Sequence, residues 1–141
     1  MRKTSLIFIC TMILGIMIPV CLKAQTDVPA NKAWTKTKIV LAKGDKVEAS
    51  VTGTITIDNN VSCDANGLKI VSGPEHVVLK NVNRGALIAK IGKKGVPFIV
   101  GANGSFVVGT DGPIFFGIND DAVKNNTGKY TVTLKVNGTT K

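Results

Sequence analysis

Residues 47–57 alternate without a break. Val47, Ala49, Val51, Gly53, Ile55 and Ile57 take the odd positions, and Glu48, Ser50, Thr52, Thr54 and Thr56 the even ones. Successive side chains of a β-strand point to opposite faces, so this pattern predicts a strand with one buried face and one wet face. The alternation returns near the other end, where Tyr130, Val132, Leu134 and Val136 interleave with Lys129, Thr131, Thr133 and Lys135. Shorter apolar runs lie between them, at 68–71, 76–79, 86–91, 97–100, 105–108 and 114–118. Gly44-Asp45, Gly73-Pro74 and Asp111-Gly112-Pro113 mark reversals, and Asn66-Gly67 and Asn103-Gly104 are pairs that favour tight hairpins. No segment carries a 3.6-residue period. Eight or nine short strands without helices predict an all-β chain, a single jelly-roll β-sandwich.

The sandwich does not begin at residue 1. Arg2 and Lys3 precede an apolar run from Leu6 to Val20, and Ala24 stands before Gln25. A basic start, a run short for a membrane span and a small residue at its end read as a secretory signal peptide over residues 1–24. Residues 25–32 then form a polar, flexible lead-in, and residues 33–138 the domain. The expected location is secreted or periplasmic, with no membrane span in the mature chain. A lipoprotein anchored through Cys21 is the rival reading, although Val20 is not the small residue that such a signal prefers.

Cleavage after Ala24 removes Arg2, Lys3 and Lys23 and no acid, so the net charge falls from +9 to +6. Cys10 and Cys21 leave as well, and Cys63 alone cannot form an internal disulfide. The fold must hold by its core, which a mature chain of about 117 residues is long enough to build. The lysines are dispersed; Lys93-Lys94 is the only adjacent pair after the leader. Dispersed lysines fit a solvated face that protects sheet edges. Nucleic-acid binding is not expected, because there is no basic arm and no run of stacking aromatics.

Catalysis has little residue support. Cys63 and His76, the only histidine, have no local group to activate them. Asp120 and Asp121 are adjacent, whereas a two-carboxylate mechanism needs acids spaced across a cleft. The chain is not expected to be an enzyme. The aromatics, Trp34, Phe98, Phe106, Phe115, Phe116 and Tyr130, sit mostly in strand patterns and read as core. One loop does concentrate oxygen-bearing side chains: Asn119, Asp120, Asp121, Asn125 and Asn126. Calcium takes hard oxygen ligands of these kinds. Asp and Asn also populate ordinary turns, since they bond their own backbone and tolerate left-handed conformations. The residues alone leave both readings open.

A wider pattern surrounds that loop. The stretches GALIAKIG (85–92), PFIVG (97–101) and FFGINDDAVKNNTGKYTV (115–132) resemble the PA-IL-like family of calcium-dependent, galactose-binding lectins. KGDKVEASVTGTITI (43–57), with Gly44 and Gly53, and SGP (72–74) are similar to its strand entry and its Gly-Pro turn. The resemblance spans about residues 33–137. It implies a galactose-binding-like sandwich and a Ca²⁺ site drawing on Asp120, Asn125 and Asn126. Backbone carbonyls near Ile57 and Val123 would complete the site, and sugar hydroxyls would contact the ion, Asp120 and Asn125. His76 falls in the region of a sugar-contacting histidine and is carried as a further sugar-binding candidate. The spacing from Asp120 to Asn125 is shorter than in the family's sugar-binding lectin, and no glutamine follows His76. A non-catalytic structural or accessory surface module therefore stands as the alternative. The expected partner is carbohydrate. A homo-oligomer would add avidity to weak sites, but no interface is legible.

Overall fold

The computed structural model describes residues 21–69 and 76–138. The first twenty residues of the expected signal peptide (1–24), the Gly73-Pro74 turn and the second half of the 68–71 run lie outside the described residues.

The described chain is a two-layer antiparallel β-sandwich. Its ten strands are β1 (Cys21–Pro29), β2 (Trp34–Leu41), β3 (Lys46–Thr52), β4 (Ile55–Ile57), β5 (Val61–Cys63), β6 (Leu87–Ile91), β7 (Phe98–Ile99), β8 (Asn103–Val107), β9 (Gly112–Ile118) and β10 (Thr127–Asn137). One sheet runs β5-β4-β10-β3-β8, with β1 also paired to β10; the other runs β2-β9-β6-β7. The alternation of the two long runs becomes the core. Val47, Ile55, Ile57, Tyr130, Val132 and Leu134 are at most 1% exposed. They pack with Leu87, Ala89, Ile114, Phe116 and Ile118 of the opposite sheet.

Residues 47–57 form two strands rather than one. The break is at Gly53, whose φ is +102°. A Cβ there would lie 2.5 Å from the carbonyl oxygen of Lys129, so only glycine lets β10 pass this close. β10 thereby pairs with β3 along Thr131–Asn137 and with β4 at Thr127 and Gly128.

Several sequence expectations change. The flexible lead-in is not loose: Cys21–Pro29 pairs in register with Lys129–Asn137. Val28 and Ala30 are fully buried, and their burial supplies the reason for the pairing. β2 and β5 were not foreseen. Run 76–79 is irregular and leaves Val78 42% exposed. Asn103-Gly104 is no hairpin turn; it lies within β8, opposite Ser50 and Ala49. Among the described aromatics only Phe116 and Tyr130 are buried. Phe98 meets Phe106 edge to face at 4.9 Å, and Trp34 and Phe115 lie half-buried beneath the ammonium of Lys90. Among the described residues no helix is long and apolar enough to cross a membrane.

Candidate functional site

The site lies where β4 and β9 run out into loops. Beyond Ile57 the chain turns through Asp58 and Asn59, both left-handed at φ +53° and +55°, a conformation that Asp and Asn tolerate. Beyond Ile118 come Asn119 and Asp120, then a short 3₁₀ turn over Val123–Asn125. Between them, the segment before β6 delivers Arg84.

Asn119 builds the frame. It is fully buried. Its side chain accepts from the Leu79 N–H at 2.7 Å and donates to the carbonyls of Leu79, Val82 and Asn83. Its backbone exchanges bonds with Gly85 and Ala86. One side chain thus ties the irregular 79–83 segment down and presents the next residue, Arg84. Gly85 then passes beneath, at φ +85°; a Cβ there would lie 2.5 Å from Ile57 Cδ1 and 2.7 Å from Cys63 Sγ.

The guanidinium of Arg84 sits between two carboxylates. Nη1 and Nη2 donate to the two oxygens of Asp58 at 2.7 and 3.1 Å. Nη2 and Nε both donate to Oδ1 of Asp120, at 3.0 and 3.2 Å. The Asp120 side chain has no exposure, while that of Asp58 is 42% exposed. Asp120 Oδ1 also accepts from the Ala122 N–H, and Oδ2 accepts from Asn126 Nδ2 at 2.8 Å. Asn126 Oδ1 in turn accepts from the Asp58 N–H, and Asn125 Nδ2 donates to Asp58 Oδ1 at 2.9 Å. Hydrogen bonds from Arg84 hold the Asp58 carboxyl below its usual value. A rim pair flanks this cluster: His76 Nδ1 lies 3.2 Å from Asp121 Oδ1, and both side chains are more than half exposed.

The structure therefore brings Asp120, Asn125 and Asn126 together, with His76 beside them through Asp121. Sequence reasoning missed Asp58 and Arg84. Asp58 lies 26 residues from Arg84, and Arg84 lies 36 from Asp120. The available signal was compositional: Arg84 is the only arginine after Arg2, in a chain otherwise supplied with lysine. A planar two-sided donor is what two carboxylates require and lysine cannot provide.

The donor set does not fit calcium as it stands. The guanidinium fills the gap between the carboxylates. Asn125 and Asn126 turn their amide nitrogens, not their oxygens, toward those carboxylates. The carbonyls of Ile57 and Val123 accept turn hydrogen bonds from the N–H groups of Asn60 and Asn126. Among the described residues no three His, Cys, Asp or Glu side chains group as a metal site. Nor do Cys63 and His76 form a pair. Cys63 is buried against the Tyr130 hydroxyl, and His76 stands at the rim.

No family model matches the chain, and no curated protein matches it. Among solved structures it is similar to the EclA N-terminal domain, a PllA-like lectin. The TM-score is 0.60 at 22% identity, over 79% of this chain and 94% of that one. The chain has the fold of that lectin domain, a two-layer β-sandwich, as its sequence resemblance implied.

Proposed function

We propose that the chain is a carbohydrate-binding protein and that sugar docks on the loop end gathered around Arg84. The observation that supports this most is a polar rim, formed by Asp58, His76, Asp121 and Asn125, on the fold of a lectin domain. Vicinal hydroxyls of a sugar both donate and accept. Carboxylate oxygens of Asp58 and Asp121 would accept from them, and the Asn125 amide and the His76 ring would supply complementary groups. Asp120 acts from beneath, holding Arg84 and the 120–126 loop in shape. Galactose-type sugars are the first class to test, and no catalytic step is part of the reading. A calcium-assisted form of the reading requires Arg84 to leave the gap. The basic start, the apolar run to Val20 and the Ala24-Gln25 junction support export to the periplasm or beyond.

One observation favours a second reading, a structural or accessory surface module. Arg84, Asn125 and Asn126 already engage the carboxylates of Asp58 and Asp120, as a clasp that only joins loops would. A glycan array followed by calorimetric titration separates the two. The lectin reading expects binding to at least one neutral glycan, weakened by Asn125→Ala and by Asp121→Ala with the fold intact. An array with no binder supports the structural module.

A further inference from the structure

We infer that Arg84 serves as a built-in cation, holding the place between Asp58 and Asp120 that a bound metal ion would otherwise take, so that this loop end folds without calcium. The inference concerns how the site is held together and does not depend on whether sugar binds there.

Four observations converge on it. First, the guanidinium bridges the carboxylates with four donor contacts of 2.7–3.2 Å. A fixed planar fork matches a carboxylate on two edges, and its charge does not titrate in the working pH range. Second, both asparagine amides point nitrogen toward the carboxylates. Around a metal ion they would present oxygen instead. Third, the carbonyls of Ile57 and Val123 close local turns. Fourth, Arg84 cannot leave easily. Its side chain is only 16% exposed, its own carbonyl accepts from the Leu68 N–H at 2.8 Å, and Asn119 clamps the residues before it. Its departure would strand the Asp120 carboxylate, fully buried, without a counter-charge, which is far costlier than breaking an exposed pair.

Calcium offers open coordination positions to sugar hydroxyls, and a guanidinium engaged on two sides does not. Any polyol bound here is held by hydrogen bonds to the rim, so the interaction is chelator-resistant.

The test compares melting curves of the mature protein in EDTA and in about 10 mM calcium, a level that reaches the weaker extracellular sites. The wild type is expected to melt at the same temperature in both. Arg84→Ala is expected to melt lower in EDTA and to regain part of the loss in calcium. The ion then enters the vacated gap among Asp58, Asp120, Asn125 and Asn126. A clear calcium-induced rise in the wild type would overturn the proposal, because the ion would then be displacing Arg84. So would an Arg84→Ala protein that melts like the wild type in EDTA. Should Arg84→Ala fail to fold, Arg84→Lys replaces it. Lysine keeps the charge but cannot bridge both carboxylates with a fork, so a lower melting temperature is expected, and an unchanged one counts against the proposal. None of these readings involves a sugar, so an empty glycan array leaves them intact.

Discussion

Asn126 donates its amide nitrogen to Oδ2 of Asp120 at 2.8 Å, and both residues are buried. The same side chain accepts the N–H of Asp58 from the end of β4. Asn126 therefore joins a loop of one sheet to a loop of the other through a single planar amide.

Asn126→Ala removes both bonds and leaves a buried carboxylate oxygen short of a donor. Unsatisfied buried groups cost about 1–3 kcal/mol. A fall in melting temperature of roughly 5–10 °C is expected for a domain of this size. Thermal denaturation monitored by circular dichroism checks it. An unchanged melting temperature would mean that water replaces the amide at no cost.

Tyr130 is the only tyrosine in the chain and is fully buried. Its hydroxyl donates to the carbonyls of Asp64 and Gly85 at 2.6 and 3.0 Å. Burial first, then the neighbouring Cys63, pushes its ionisation far above the ordinary value near 10. A raised pKa in the folded state means that stability is complete below the unfolded value and is lost as pH rises above it. The native protein should therefore show no tyrosinate absorbance at pH 10–11, and the signal should appear only with unfolding. Tyr130→Phe should flatten that alkaline loss while lowering stability at neutral pH by about 1–2 kcal/mol, for the Gly85 carbonyl left without its donor. A reversible titration near pH 10 in the folded protein would contradict the burial.

Legibility in the sequence follows the physics of each element. β3, β4 and β10 show plainly because one face is apolar and the other Thr- or Lys-rich, at strict period two. β1 and β2 hide their pattern. β1 buries only Val28 fully, and β2 shows Val40 to solvent and Thr37 to the interior, with a register irregularity between Lys36 and Val40. Thr37 is satisfied by donating to the Ile114 carbonyl at 2.9 Å, a partner no local pattern discloses. At the site, Asp120, Asn125 and Asn126 lie in one short loop and could be grouped by eye. Arg84 and Asp58 arrive from distant segments, and their meeting depends on Asn119 and on the left-handed turn after β4. A motif that lists oxygen donors also says nothing of which cation they surround.

Gly85 gives a sharper test of the packing beneath Arg84. It requires a left-handed backbone, and a Cβ would press on Ile57 and Cys63. Gly85→Ala should destabilise by about 1–3 kcal/mol through strain. It should also speed the reaction of Cys63 with a thiol reagent. Cys63 is 9% exposed, and burial raises the pKa of its thiol, so in the wild type the native protein should react slowly. Equal modification rates in the two proteins would place the strain elsewhere.

β1 bears on where the working chain starts. Cys21–Ala24 extends β1 along β10, but Cys21, Leu22 and Lys23 are exposed. Cleavage after Ala24 would therefore remove an edge that contributes little. From Gln25 onward the strand matters. Val28 lies opposite Tyr130 in the register, Ala30 donates its N–H to the Gly128 carbonyl at 3.0 Å, and both are fully buried. A protein starting at Gln25 should melt within a few degrees of one starting at Cys21. One starting at Lys32 uncovers the flank of β10 and should lose several kcal/mol, from the buried Val28 side chain and the lost ladder bonds. Mass spectrometry of the exported protein should accordingly give Gln25 as the first residue. A lipid-modified Cys21 would instead make the first four residues of β1 the tether between membrane and sandwich. Equal stability of the Gln25 and Lys32 proteins would show that β1 adds nothing to the fold.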